Sequence, residues 1–392
     1  TVITSNIPNS TDDFNVIKGN QVDILNVLGA GDAFMSGFLR GYLRSESLEK
    51  SANYANASGA LVVSRHGCAP AIPSEHELLY YLENADDIPD PSIDLTLNHL
   101  HRVSFRNKEE PEIFGFAFDH RKQLSDLAVK YGEDLSQITK LKKLFIRSIK
   151  NTIDKFNIPE KSIGVLIDDT YGDDALNSIA EKPWWIGRPV ELPSSRPIKF
   201  EGDQSIGSKI QSWPLSHVVK CLFFYHPDDA VELKLKQEQK IKELYFACIQ
   251  SGHQLLLEVI PPSEYEEDEA TIPTILQRFY EIEIKPDWWK LPALQEKSWL
   301  QVSDVINTHD PYCQGVLLLG LSAPVDFVRE SFAVAAKYPI CKGFTVGRTI
   351  FYDPAKQWMQ HNISDQELVD SVTTNYIELI QSWKKYREGV QK

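Results

Sequence analysis

Lys285-Pro286-Asp287-Trp288-Trp289-Lys290-Leu291 reads as a short apolar strand with a lysine at its far end, beside two tryptophans. An ammonium in such a setting is costly to desolvate, and burial of this kind favours the neutral amine. A neutral amine is a nucleophile. Its usual use inside an enzyme is a Schiff base with a carbonyl substrate. The competing reading is a lysine that snorkels to solvent from a strand end. The rest of the chain decides between them.

Around this stretch the sequence alternates strand and helix patterns. Strands are expected at 113–118, 163–167, 184–190, 218–225, 254–260, 287–291, 315–319 and 343–346. After the first, Ile138, Leu141, Leu144, Phe145, Ile149 and Ile153 recur at helix spacing. Eight such units across residues 111–392 predict an α/β fold, a (β/α)8 TIM barrel, which typically takes about 250 residues. An open doubly wound sheet usually stops nearer about five or six strands.

A barrel places its chemistry at the C-terminal ends of its strands. Those ends carry Asp119-His120-Arg121, Asp168-Asp169, Arg188, Lys220 with His226 beyond it, Glu258 and Lys290. Period-2 alternation puts Asp119 on a face with Gly115 and Ala117, Lys220 with Val218 and Leu222, and Glu258 with Gln254 and Leu256. Unpaired charges in such apolar runs are expensive, so these groups either neutralise one another in the core or cluster for function. The last two strand ends offer a phosphate cradle, a common use of the loops after strands seven and eight. Gly320-Leu321-Ser322-Ala323 supplies small residues and backbone N–H groups, with Ser322 as a candidate contact. Gly347-Arg348-Thr349 supplies a guanidinium suited to bidentate phosphate contact, unless Arg348 merely pairs with a carboxylate.

The chain has 392 residues and a formal net charge of −14. That length accommodates two domains. The charge argues against a nucleic-acid surface or an anionic membrane as partner, so an anionic substrate needs a local cluster of cations. Cys68, Cys221, Cys248, Cys313 and Cys341 are scattered without a CxxC pair, which reads as reduced thiols in a cytoplasmic protein. No apolar run reaches transmembrane length, and the start shows no signal-peptide pattern. Because the chain begins at Thr1, a fragment or a processed product is expected.

Residues 21–43 read QVDILNVLGAGDAFMSGFLRGYL. A strand is expected from Val22 to Leu28, then a turn at Gly29-Ala30-Gly31-Asp32, then an amphipathic helix. Glycines at such a turn let the backbone approach an anion, and the helix N-terminus adds free N–H groups. Asp32 is placed to take a proton from a sugar hydroxyl during phosphoryl transfer. The GAGDAFxxGF string resembles the C-terminal signature of ribokinase-like sugar kinases. The helix around Asn53-Tyr54-Ala55-Asn56 and the His66-Gly67-Cys68-Ala69-Pro70 loop resemble that family's nucleotide side. The Asn26-Val27-Leu28 lead-in is most similar to the 5-dehydro-2-deoxygluconokinases of inositol catabolism. Such kinases need roughly 300 residues for their single domain. Residues 1–85 are therefore expected to be an incomplete ribokinase-like α/β segment. Its anion hole is Gly29, Ala30 and Gly31 and its base Asp32, with ATP and Mg as cofactors only if the kinase domain is complete. The prolines and charges of residues 86–110 read as a linker, with a short helix expected from Leu95 to Val103 within it.

Residues 111–385 resemble the class I tagatose-bisphosphate aldolases, most closely the aldolase-like domain fused behind the inositol-pathway kinase. The resemblance implies four catalytic positions: Asp119 on the first strand, Lys220 on the fourth, Glu258 on the fifth and the Schiff-base Lys290 on the sixth. It assigns phosphate to Gly347 and Arg348, and it implies no cofactor and no metal. The implied substrate is a phosphorylated sugar acid, 2-deoxy-5-keto-gluconate 6-phosphate, split into dihydroxyacetone phosphate and malonate semialdehyde. A homo-oligomer is expected. Asp119 either orients the lysines or acts on the cleaved hydroxyl, and Arg188 or Arg121 is a candidate for the substrate carboxylate. Pro286-Asp287-Trp288-Trp289 departs from the plain aliphatic run of the group, which bears on pocket shape. The readings set against this one are a sugar-acid kinase using Asp32, a metal-dependent aldolase using His120 and His226, and an inactive scaffold. No tight ligand spacing such as HxxxH supports the metal reading.

Overall fold

The computed structural model describes residues 2–3, 15–105, 112–202, 205–266, 268–321 and 323–390. The chain divides into two compact units, residues 1–107 and 108–392.

In the first unit, Val2–Ile3 pairs antiparallel with Asn15–Val16. Four helices follow: α1 (Ala30–Leu43), α2 (Leu48–Val63), α3 (Glu75–Asn84) and α4 (Leu95–Val103). The strand expected at 22–28 does not form. A strand needs a ladder partner for its backbone groups. Here the N–H groups of Leu25 and Asn26 both donate to the Val63 carbonyl, at the end of α2. Ile24, Leu25, Val27 and Leu28 are left largely exposed. The turn itself forms as expected. Gly29 caps α1 with φ at 86°, a left-handed conformation glycine adopts freely. A Cβ there would lie 2.6 Å from the Cys68 Sγ.

The stretch read as a linker is partly ordered within this unit. Asp94 caps α4, accepting from the Leu97 N–H at 2.8 Å. Leu97 and Ile88 join the apolar core of α2 and α3. The Ser104 hydroxyl donates to Ser74 Oγ at 2.6 Å. The short helix read at 95–103 therefore forms as α4, and it is packed into the unit although its flanks have the composition of a linker.

The second unit is a closed barrel of eight parallel strands. In chain order these are β1 (Ile113–Ala117), β2 (Ile163–Leu166), β3 (Trp185–Pro189), β4 (His217–Phe224), β5 (Gln254–Ile260), β6 (Trp288–Leu291), β7 (Gly315–Leu319) and β8 (Cys341–Val346). β8 closes on β1. Each lies within two residues of the sequence reading, because strands buried on both faces are near-continuous apolar runs bounded by turns. Helices cover the outside: α5 (Lys122–Tyr131), α6 (Ser136–Phe156), α7 (Asp169–Asn177), α8 (Ile206–Gln211), α9 (Val231–Ser251), α10 (Thr271–Glu281), α11 (Glu296–His309), α12 (Val325–Ala335), α13 (Arg348–Met359) and α14 (Asp365–Val390).

Alternation separates two cores. Outward residues such as Phe116, Val165, Ile186, Val219, Leu257, Trp289 and Leu318 pack under the helices. Inward residues, Ile113, Ala117, Leu166, Val218, Leu256, Trp288 and Leu317, fill the lumen together with Trp185. The rings of Trp185 and Trp288 meet edge to face with centroids 5.8 Å apart. Both stand at the starts of their strands, so they plug the N-terminal end. Gly187 makes room for this, since a Cβ there would approach Leu166 Cδ2 to 2.4 Å and the Trp185 ring to 3.2 Å. With the bottom filled by indoles, the open volume lies at the opposite end, where the strands finish.

Candidate active site

The strand ends surround a cavity of about 290 Å³, near the lower limit of small-molecule pockets. Lys220 on β4 reaches its centre. Its Nζ lies 3.1 Å from Asp119 Oδ2, 2.9 Å from Glu191 Oε1 and 3.0 Å from Glu258 Oε2. Lys290 on β6 lies 3.1 Å from the other oxygen, Glu258 Oε1. All five side chains line the same cavity and are buried. Arg121 adds a third cation: its Nη2 donates to the Glu191 carbonyl at 3.0 Å and its Nη1 to Glu201 at 3.1 Å.

Burial alone would make each of these charges unfavourable, and their mutual attraction reverses it. Desolvation raises the Asp119 pKa, but Lys220, His120, Lys290 and Arg121 together drive it well below the carboxylate range. Glu258 is likewise raised by burial and lowered overall by Lys220 and Lys290. Lys220 is lowered by burial, but Asp119, Glu191 and Glu258 carry it well above the usual lysine value. It is therefore a fixed cation. His120 sits over the cavity with its Nδ1 3.9 Å from Asp119 Oδ1. Burial, with Arg348, Lys290 and Lys220, holds its pKa down at about 3 despite Asp119, so the imidazole is neutral at physiological pH.

At the β8 end, Gly347 caps α13. Its carbonyl accepts from Ile350 and Phe351, and the first turn of the helix faces the strand ends. A Cβ on Gly347 would come within 2.3 Å of the Ala117 carbonyl oxygen and 2.7 Å of His120 Cε1. Arg348 lines the cavity half-buried. Among the described residues its guanidinium has no ion-pair or hydrogen-bond partner. The pairing with a strand-end carboxylate set against the phosphate role is thus not made. Gly320 and Leu321 also line the cavity, while Ser322 falls outside the described residues.

Asp119, Lys220, Glu258, Lys290, Gly347 and Arg348 thus share one cavity. Others read at strand ends do not. Arg188 faces the helices: it pairs with Asp169 at 2.6 Å and stacks over the Trp213 ring at 4.1 Å. Trp185 and Gly187 point inward, so the intervening parity points out, and Arg188 is removed as a holder of a substrate carboxylate. Arg121 is in the cavity but already engaged by Glu191 and Glu201. Asp168 is fully buried against Lys142 and caps α7 through the Tyr171 N–H at 2.9 Å. His226 stacks on Tyr265, 4.2 Å between centroids, away from the lining. Among the described residues no group of His, Cys, Asp or Glu side chains is arranged to hold a metal ion.

Glu191 was not anticipated. It lies two residues beyond β3, on the same parity as Trp185, Gly187 and Pro189. Extending the alternation past the strand would have found it. In the first unit, Gly29, Ala30 and Gly31 form the start of α1, and Asp32 in its first turn is exposed to solvent.

Comparison with known proteins separates the two units. A family model described as pfkB family carbohydrate kinase matches residues 3–75. Over 69 residues the chain is 33% identical to a 5-dehydro-2-deoxygluconokinase of Listeria monocytogenes, covering 18% of this chain and 21% of the relative. The corresponding kinase of Bacillus thuringiensis is 29% identical over 65 residues, 17% of this chain and 20% of the relative. The chain thus spans about a fifth of the length of these curated relatives. The barrel is similar in fold to a solved fructose-bisphosphate aldolase from Plasmodium falciparum. The TM-score is 0.54 at 10% identity, covering 76% of this chain and 96% of the other. The molecule carries a segment matched by the pfkB kinase model and a TIM barrel similar in fold to that aldolase. Since the family model described as "uncharacterized protein conserved in bacteria (DUF2090)" matches residues 77–387, most of its length, the chain belongs to that family.

Proposed function

We propose that the barrel is a class I aldolase that forms a Schiff base through Lys290 and cleaves a phosphorylated keto sugar acid. The observation that carries this reading is the unequal bracing of two lysines in one buried cavity. Among the described residues Lys220 is held by three carboxylates, while Lys290 has the single partner Glu258, which it shares with Lys220. The first is a permanent charge. The second needs to lose only one proton, to an adjacent carboxylate, to become a nucleophile.

In this reading the Lys290 amine attacks the substrate carbonyl and gives a carbinolamine. Glu258, carrying the proton, returns it to the hydroxyl, which departs as water and leaves an iminium. The iminium takes up the electron pair of the breaking C–C bond, while a base removes the proton of the substrate hydroxyl that becomes the aldehyde. Asp119 is positioned either for that task or to hold Lys220 in place. The enamine so formed takes a proton on the carbon that carried the broken bond, returned by the base that removed the hydroxyl proton, and water then hydrolyses the iminium and restores Lys290. Arg348 and the N-terminus of α13 hold the phosphate.

The substrate we favour is 2-deoxy-5-keto-gluconate 6-phosphate, giving dihydroxyacetone phosphate and malonate semialdehyde. The name of the kinases matched by residues 3–75 supports it. A 5-dehydro-2-deoxygluconokinase phosphorylates a 2-deoxy keto sugar acid, the class of compound such an aldolase would consume. The test is borohydride reduction in the presence of a panel of phosphorylated ketoses, followed by peptide mass spectrometry. An adduct on Lys290 is expected. An adduct on Lys220, or none with any ketose, overturns the assignment.

A further inference from the structure

One wall of the cavity is apolar. On β4, alternation puts Leu222 and Phe224 on the same inward face as Lys220, and on β5 it puts Ile260 above Glu258. Leu222 is the register partner of Glu258, and Phe224 that of Ile260, so the three side chains form one patch at the mouth end of the lysine cluster. All three line the cavity. Their neighbours of the opposite parity, Cys221, Phe223 and Val259, are completely buried under the helices. Leu222, Phe224 and Ile260 instead keep part of their surface exposed, and that surface faces the open cavity. The cavity's cations stand elsewhere. Arg121 follows β1, Lys290 lies on β6 and Arg348 follows β8. Lys220 is one inward position below Leu222 and is held by three carboxylates.

The order of the strands gives this wall a role. In the closed barrel, β4 and β8 are opposite one another and β6 lies midway between them. A ketone bound to Lys290 with its phosphate at Arg348 therefore extends its other arm toward β4 and β5. That arm is the one released as the aldehyde. We propose that Leu222, Phe224 and Ile260 form the subsite for the aldehyde fragment, and that they select a fragment with a plain methylene next to the aldehyde group over one with a hydroxyl there. This deepens the aldolase reading and rests on it. An apolar wall offers a hydroxyl no hydrogen-bond partner, so binding strips water from it without replacement. Malonate semialdehyde has the favoured pattern, a methylene beside its aldehyde carbon.

The experiment runs the reaction toward synthesis, with dihydroxyacetone phosphate and either propanal or lactaldehyde, which is propanal with a hydroxyl on the carbon next to the aldehyde. The enamine carbon on Lys290 forms the new C–C bond to the aldehyde carbon, the aldehyde oxygen takes up a proton, and water releases the ketose phosphate from the lysine. For propanal and for both enantiomers of lactaldehyde, kcat/KM is read from the ketose phosphate formed. The wild-type chain should prefer propanal by roughly ten- to a hundredfold. Ile260→Thr keeps a β-branched side chain in the strand and puts a hydroxyl in the wall. It should bring the ratio toward one by raising the rate with lactaldehyde, a gain that misfolding cannot produce. A wild-type ratio near one, or an unchanged ratio in folded Ile260→Thr, overturns the proposal. If Ile260→Thr does not fold, the wild-type ratio decides alone. Failure to join propanal, in a chain whose Lys290 is trapped by borohydride with dihydroxyacetone phosphate, overturns it as well. Absence of that trapped adduct defeats the Schiff-base reading itself, and the subsite falls with it.

Discussion

Glu258 and Lys290 are register partners on adjacent strands, directly opposite one another in the β5–β6 ladder, with Oε1 and Nζ 3.1 Å apart. The backbone therefore sets their contact, and no loop has to close to make it. A proton passed between them moves along a short path held by two strands that are buried around both residues.

Lys290→Arg tests this pair most directly. A guanidinium keeps the charge beside Glu258 but stays protonated and cannot form an imine. Cleavage and borohydride trapping should both vanish, while tryptophan fluorescence and the denaturation midpoint stay close to wild type. Full cleavage by the folded variant would end the Schiff-base mechanism.

Removal of Arg348 should separate phosphate binding from chemistry. Its guanidinium has no partner within the described protein to leave behind unpaired, so Arg348→Ala should fold normally. Loss of a charged hydrogen bond of about 1.5–3 kcal/mol predicts a roughly ten- to hundredfold weaker hold on phosphorylated substrates. Unphosphorylated analogues should be almost unaffected, as judged by KM for each. Equal losses for both would put the phosphate elsewhere.

His120 predicts a pH dependence of stability. In the fold its pKa is held at about 3, against roughly 6.5 in an unfolded chain. Below about 6.5 the unfolded chain takes up a proton that the folded one refuses. The stability is thus fully present above that pH and is lost as pH falls towards 3. His217, lowered to about 4, and His253, also lowered by burial, act in the same direction. All eight tryptophans lie between residues 184 and 383, so their fluorescence follows the barrel alone. The urea midpoint should drop between pH 7 and 5, and His120→Asn should flatten that slope by up to about 1.4 kcal/mol per pH unit. An unchanged slope would mean that His120 is protonated in the folded state.

The 392-residue polypeptide should show no ATP-dependent phosphorylation of 5-dehydro-2-deoxygluconate. Asp32 is exposed, and the strand that would lead into its turn does not form. Turnover above background in a coupled assay, abolished by Asp32→Asn, would show that the turn is completed in solution.

The barrel is readable because most of its strands are apolar on both faces and end at a charged or glycine-containing turn, signals that do not depend on distant partners. Asp119, Lys220 and Glu258 follow from the same alternation, and Lys290 from the apolar strand that it ends. The strand at 22–28 was misread because its pattern is that of a strand but its ladder partner is not beside it. Arg188 and Glu191 show the subtler failure. A charge inside the strand drew attention, although its parity turned it outward to Asp169. The carboxylate that does enter the cavity sits past the last hydrogen-bonded residue, where alternation persists but the strand signal has stopped.

The indole plug of Trp185 and Trp288 has a consequence for traffic. A barrel sealed at one end is a cup, so substrate and both fragments must use the same mouth. If the ketose half stays tethered to Lys290 after cleavage, the aldehyde has to leave first and the ketone second. In the reverse direction the ketone must load before the aldehyde. Steady-state inhibition patterns for such an enzyme would be ordered, with the sequence set by the tether at Lys290 and the two indoles leaving a single mouth through which both fragments pass.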